Sequence, residues 1–304
     1  MSSDRDRSYE LTRDEGLAAG LTRVAADRAE KALERLRESS AGETETADAV
    51  HGARKDMKKL RTVLRLLRDE LGAKRYKKEN ARFRDAARAL SETRDAEVRL
   101  ETLDALAEHD DALPAEAVES WRKILDRDRE AATNAARDEP AVAEAIALLE
   151  AGLESIHGSE LEGDSWKLVD DALIRTYRRG RRAMKAAAKH RGEADFHEWR
   201  KRAKDLWYEL RLLSATWPGP LEATAEEAHK LTELLGDHHD LAVLREDLRA
   251  RNLGEAETAA LEAAIGRRQE ELATSAFPLG RRLYAERPPD FSRRLRRYWE
   301  AWRG

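Results

Sequence analysis

The sequence predicts an all-α fold, a duplicated helical bundle, and three observations carry that expectation. The first is a phrase that occurs twice: residues 51–67 read HGARKDMKKLRTVLRLL and residues 197–213 read HEWRKRAKDLWYELRLL. At a constant offset of 146 the two agree at nine of seventeen positions, so His51/His197, Arg54/Arg200, Lys55/Lys201, Lys58/Lys204, Arg65/Arg211 and four leucines recur together. The second is an echo downstream of each copy, at an offset of 145. There LSETRDAEV from Leu90 to Val98 resembles LGDHHDLAV from Leu235 to Val243, which pairs Asp95 with Asp240. Each half therefore repeats a unit of at least two helices. The third is the lack of any Val/Ile/Thr-rich alternating run that would make a strand.

Taken in order, residues 1–10 read as a flexible tail. Thr12 followed three residues later by Glu15 is a capping box, opening a helix that runs to about Glu38. A polar loop over 39–46 leads to the first repeated helix, expected over 48–71 and ended by Gly72. A long helical stretch over 74–108 carries the Arg94-Asp95 echo, and 110–114 breaks the chain before an Ala-rich helix reaching about Arg137. Pro140 starts a shorter helix ending near Ile156. Residues 157–165 hold two glycines and no apolar periodicity, so they divide the chain into a first half, 11–157, and a second half, 158–304, of one domain. The second half is expected to carry helices over 166–190, 195–216 (the second repeated helix), 222–251 and 255–276, with Pro218-Gly219-Pro220 as a turn. Pro278, Pro288 and Pro289 bracket a last turn before a short helix ending at Trp299–Trp302.

At about 100° per residue, each copy of the repeated phrase separates into two faces. Arg54, Lys55, Lys58, Thr62 and Arg65 fall within about 60° of His51, while Ala53, Met57, Leu60, Val63, Leu64 and Leu67 lie opposite. In the second copy Arg200, Lys201, Lys204, Tyr208 and Arg211 surround His197, and Trp199, Ala203, Leu206, Leu210 and Leu213 oppose them. A charged helix face is ordinarily solvated and balanced by acids. From Arg54 to Arg68, however, seven cations face Asp56 alone, and like charges at helical spacing repel. A stripe kept at such a cost points to an anionic ligand.

Composition agrees with a folded helical protein: 39% of the 304 residues are charged, against roughly 25% in average domains. There is no cysteine, which excludes disulfides and thiolate metal sites. No apolar run approaches the roughly 20 residues needed to span a bilayer, and the N-terminus lacks an apolar signal core, so a cytoplasmic protein without membrane contact is expected. The net charge of −4 argues against a polyanion partner until its distribution is read. Residues 175–211 hold thirteen cations against five acids, and 138–171 hold ten acids against Lys167 alone. A focused basic region steers anions even on a mildly acidic protein.

No glycine-rich phosphate loop, HExxH or nucleophile elbow is present, so no catalytic residue is assigned. Adjacent His238 and His239 point about 100° apart on a helix, which favours a polar cap over a shared metal ion. His51 and His197 could approach each other, but imidazoles amid cations repel a metal and suit protonated contact with phosphate better; no metal and no cofactor is expected. Asp95 and Asp240 read as helix caps or as acids orienting stripe cations. What remains is a binding surface: arginine forks and lysine point charges every three or four residues, in rows spaced about 5–6 Å along the axis.

His-x-x-Arg-Lys-x-x-Lys-Lys-x-Arg at 51–61 and His-x-x-Arg-Lys-x-x-Lys-x-Leu-Trp-Tyr at 197–208 resemble the CHAD domain, the conserved histidine α-helical domain. The two echo segments and Leu-Tyr-Ala-Glu-Arg-Pro at 283–288 are similar as well, so the resemblance covers roughly 8–302. It implies two pseudo-twofold-related four-helix units around a central basic groove or pore that binds inorganic polyphosphate, without catalysis. It further implies ligand-facing roles for Arg54, Lys55, Lys58, Arg61 and Arg65, with Lys59 beside them, and for Arg200, Lys201, Lys204 and Arg211; His51 and His197 are the namesake histidines. Arg178, Arg181 and Arg182, on the helix before the second copy, are additional candidates. Two departures stand out: Ser91 replaces a usual glycine, and Asp205 replaces the cation corresponding to Lys59, which weakens the second stripe at its rim. Members fused to a triphosphate-tunnel (CYTH) domain carry Glu-x-Glu-x-Lys, whereas Glu43-Thr44-Glu45-Thr46 is followed by Ala47 in an expected loop. A stand-alone CHAD protein is therefore expected.

Three functions compete. The leading expectation is a non-enzymatic module for long-chain polyphosphate, acting at polyphosphate granules or with a partner enzyme. A nucleic-acid-binding protein using the same surface is the alternative, disfavoured by 6% aromatic content and by Tyr208 being the one stripe aromatic on which a base could stack. A phosphoanhydride-cleaving enzyme would need paired carboxylates to hold Mg²⁺ near phosphate, which the basic region lacks. Oligomeric state is not legible in the sequence.

Overall fold

The computed structural model describes residues 9–41, 46–90, 92–136, 140–159, 161–251 and 255–304, apart from the side chains of 46–47, 92–94, 133–136 and 255–257. Among the described residues there is no strand. The α-helices are α1 (Leu17–Ser40), α2 (Thr46–Leu66), α3 (Arg68–Ala89), α4 (Glu92–His109), α5 (Ala115–Ala136) and α6 (Pro140–His157), then α7 (Lys167–His190), α8 (Glu193–Leu213), α9 (Pro218–Arg251), α10 (Glu255–Leu283) and α11 (Pro288–Arg303).

Several ends differ from expectation for local physical reasons. Tyr9 and Leu11 are buried, so the expected tail 1–10 is part of the folded body at its last residues. The Thr12 N–H does donate to Glu15 Oε1 at 2.9 Å, but α1 begins only at Leu17, whose N–H is capped from afar by Asp164 Oδ1 at 2.9 Å. Gly72, with φ of 73°, kinks α3 instead of ending α2, which stops at Leu66. The expected single helix over 74–108 is split between α3 and α4, and Ser91 lies outside the described residues. Pro218 and Pro220 sit in the first turn of α9, where a missing N–H has no helical partner to lose. Pro278 lies inside α10 and does not end it; Phe277 beside it stacks on buried Trp199 at 5.1 Å, so tertiary packing overrides the local breaker. Glu43 and Glu45 lie outside the described residues.

Two apolar cores hold the helices. The larger joins α1, α2, α3, α6, α7, α8 and the start of α9 with the chain's last helix, and both repeated helices bury their predicted apolar faces in it. Met57, Leu60, Val63, Trp199 and Ala203 are all fully buried there. The smaller joins Leu103 and Leu106 of α4, Trp121 and Leu125 of α5, Leu241, Leu244 and Leu248 of α9, and Leu261 and Ile265 of α10. The first half thus packs its α4–α5 pair on the second half's α9–α10 pair. With their apolar faces fixed inward, α2 and α8 must turn their cationic faces outward from the core, which positions the site.

Candidate functional site

Asp56, the lone acid among the cations of α2, is taken up by α1. It is buried and accepts from Arg28 Nη1 at 2.8 Å, with Arg35 Nε at 3.3 Å. The stripe of α2 is therefore not balanced by the one acid its sequence offers.

The stripes of α2 and α8 come together. Burial, then Arg54, Arg200, Lys55 and Arg61, push Lys58 down to about 8. Burial, then Arg200 and Lys58, push Lys204 down to about 7, with Asp240 opposing and Lys55 reinforcing. Each lysine thus feels cations of the other helix. Lys58 is open to solvent and yet partly desolvated by the surrounding side chains. Arg54 donates to the Leu90 carbonyl at 3.0 Å, and Arg200 Nη2 stands 4.0 Å from Asp240 Oδ1. Asp240 thus orients a stripe cation from within α9, the second of the two roles expected of it; Asp95 is exposed. Exposed Lys55 stands with this group, and exposed Lys201 is paired with Glu198 at 2.8 Å.

Other predicted cations are engaged elsewhere. Arg65 binds Asp205 at 2.7 Å and the Thr62 hydroxyl at 3.1 Å. Asp205 also accepts from Arg202 at 2.8 Å, so it cross-links α2 to α8 and does not lie at a rim as the sequence suggested. Beneath them, burial raises Glu209 to about 8 although Arg65 lies beside it. Lys59 is buried, 4.0 Å from Asp56 and 5.4 Å from the Tyr9 ring centroid, so it does not stand with Lys58. Arg211 lies over the Tyr9 and Trp207 rings at 5.9 and 5.7 Å. Arg61 Nε donates to Asn80 Oδ1 at 3.0 Å. Arg181 donates to the Glu286 carbonyl at 2.7 Å, tying α7 to the segment before α11, whereas Arg178 and Arg182 are exposed. Tyr208 is buried, stacked on Trp207 and edge-on to Tyr9, and offers no free face to a base.

The histidines depart furthest from expectation. His197 is partnered by His239, with Nδ1 atoms 3.2 Å apart and ring centroids 4.3 Å apart. His51, also partly buried, has further contacts within the fold. Burial, then Arg200 and His197, push His239 to about 4, and burial, then Lys201 and Arg200, lower His197. Both shifts favour the neutral rings near pH 7 in the free protein. His238 and His239 form no cap, because α9 continues past them to Arg251. His238 is buried and stacks on Phe196 at 4.1 Å. Sequence reading missed His239 because its helix carries no cationic stripe; the offset of 145, which aligns it with Arg94, was the available signal. Among the described residues no group of three or more His, Asp or Glu is arranged to hold a metal ion, and no helix is long and apolar enough to cross a membrane.

No curated protein matches this sequence. Its fold occurs among solved structures. The CHAD domain from the plant Ricinus communis superposes with a TM-score of 0.66 at 19% identity, covering 95% of this chain and 98% of its own. PptA from Streptomyces chartreusis superposes with a TM-score of 0.61 at 17% identity, covering 88% and 99%. The model of the CHAD domain family matches residues 21–249, which hold both repeated helices and both echoes. The chain belongs to the CHAD domain family.

Proposed function

We propose that this protein is a non-enzymatic module that binds inorganic polyphosphate along the joined faces of α2 and α8. The observation that carries the reading is the meeting of the two stripes, where Arg200 of α8 depresses Lys58, and Lys58 and Lys55 of α2 depress Lys204, so cations of different helices are held together at an electrostatic cost that a polyanion would remove. Arg54, Lys55, Arg200 and Lys201 extend the same cationic surface, which suits a linear polymer with regularly spaced charges better than a single phosphate. The proposal includes a duplicated architecture, in which α2 corresponds to α8 at the offset of 146, with the paired stripes lining one groove or pore. A cytoplasmic protein recruited to polyphosphate granules fits this role. Nucleic acid is the second reading; buried Tyr208 counts against it, since base stacking needs an open aromatic face.

The test is calorimetric titration of long-chain polyphosphate, with orthophosphate, pyrophosphate and single-stranded DNA at matched phosphate concentration. Binding should be far tighter for the long polymer than for the small anions or DNA. Lys58→Glu and Lys204→Glu should each abolish it while leaving the helical circular dichroism unchanged. Equal binding of DNA would replace the reading by a generic anion surface, and release of orthophosphate from polyphosphate with added Mg²⁺ or Mn²⁺ would make the protein an enzyme.

A further inference from the structure

The α8 stripe ends against a residue that no stripe supplies. His239 projects from α9 onto His197, and both rings are partly exposed. An Nδ1···Nδ1 hydrogen bond holds one proton between the rings. In the neutral pair, one ring therefore carries N–H at Nδ1 with a bare Nε2, and the other a bare Nδ1 with N–H at Nε2. The pair then offers a phosphate oxygen one donor and one repelling lone pair. A single added proton makes both Nε2 atoms donors and gives the pair a positive charge.

The surroundings set when that proton is taken. From α8 the pair faces Arg200, Lys201, Lys204 and Glu198, and from α9 His238; Asp240 acts on the neighbouring Arg200 and Lys204. Lys55 and Lys58 of α2 act on Lys204. Asp240 also lines a cleft of about 360 Å³ together with Asp237, Glu101 of α4 and Arg268 of α10. The cations adjoining the rings outweigh the acids, and the free pair stays neutral. An anion lying against Arg200 and Lys204 cancels those charges and favours the imidazolium. The chain's own first half has Arg94 at the position corresponding to His239, so a permanent cation is exchanged here for a titratable one.

We propose that His239 is a binding residue of the anion site and that, with His197, it takes up one proton when a phosphate polymer binds. The inference rests on the polyphosphate reading. It makes one end of the surface grip more strongly in acid, below the range in which Lys204 and Lys58 lose their charge.

The experiment measures long-chain polyphosphate binding by calorimetry at about pH 5 and about pH 6, where Lys58 and Lys204 are largely charged. The full-length wild type, His239→Gln and His239→Arg are compared. Linkage of one proton gives the wild type about a tenfold gain in affinity per pH unit of acidification. His239→Gln should be flat over this range and weaker at the lower pH, and His239→Arg flat and tight at both. Histidine ring titration by NMR on the wild type, free and bound, should show the His239 pKa raised in the complex, a readout independent of whether the variants fold. Wild-type binding that is flat with pH, an acid limb that persists in His239→Gln, or an unmoved His239 titration would overturn this inference alone. Absence of polyphosphate binding at every pH would overturn the polyphosphate reading and this one with it.

Discussion

Lys58 and Lys204 bind their protons less tightly than free lysines because burial and neighbouring cations, Arg54 and Arg200 for Lys58 and Arg200 and Lys58 for Lys204, oppose the ammonium form. A bound polyanion reverses the second effect, so the complex holds more protons than the free protein through the window near pH 7 to 8. Affinity for polyphosphate should therefore fall as pH rises from about 6.5 to about 9, with net proton uptake on binding near pH 7.5. Calorimetry in buffers of different ionisation enthalpy reads that uptake directly. Stability should run the opposite way, because the unfolded chain binds these protons more tightly and the folded state is relieved as the lysines discharge. Lys204→Met should accordingly raise the unfolding midpoint at pH 7, by roughly 2 °C, while weakening the ligand. A lower midpoint would mean that the ammonium is a structural group.

The repeated helices are joined by chemistry that neither carries alone. Arg65 of α2 and Asp205 of α8 pair at 2.7 Å with little exposure, and Asp205 and Glu209 hold Arg65 above its ordinary pKa although burial opposes them. Removing one partner of such a pair strands the other charge. Asp205→Ala should lower stability by about 3 kcal/mol in urea unfolding and loosen the register between the stripes. Asp205→Asn, which keeps an acceptor for Arg65, should lose less. Equal losses in both variants would show that the carboxylate's charge matters and not its position. The apolar faces behave as the helical periodicity requires: the leucines of both copies point into one core, which is why their cations share an outward side.

Over the whole molecule, the smaller core ties the two halves together. Leu103, Leu106, Trp121 and Leu125 of the first half are covered by Leu241, Leu244, Leu248 and Leu261 of the second, so a fragment of residues 11–157 would expose that cluster to water. Such a fragment should fail to unfold cooperatively and should aggregate. The full chain should melt in a single transition by circular dichroism and by tryptophan fluorescence alike. Two well-separated transitions, or a fragment that folds, would show that the halves are independent domains.

The sequence by itself determined the helices, their apolar faces and the cationic stripes, because helical periodicity and charge run are local properties written every three or four residues. The cluster of Arg54, Lys55, Lys58, Arg200 and Lys204 was legible from the repeat for the same reason. Only the tertiary structure decided which cations remain at that surface. Lys59 and Arg65 belong to the same run as Lys58, yet a buried Asp56 with Tyr9 and a cross-helix Asp205 claim them. The same holds for Pro278, whose breaking tendency yields to the packing of its neighbour on Trp199, and for His239, which reaches His197 across 42 residues of chain. Side chains distant in sequence compete for the same charge or the same space, and that competition is settled only when the helices pack.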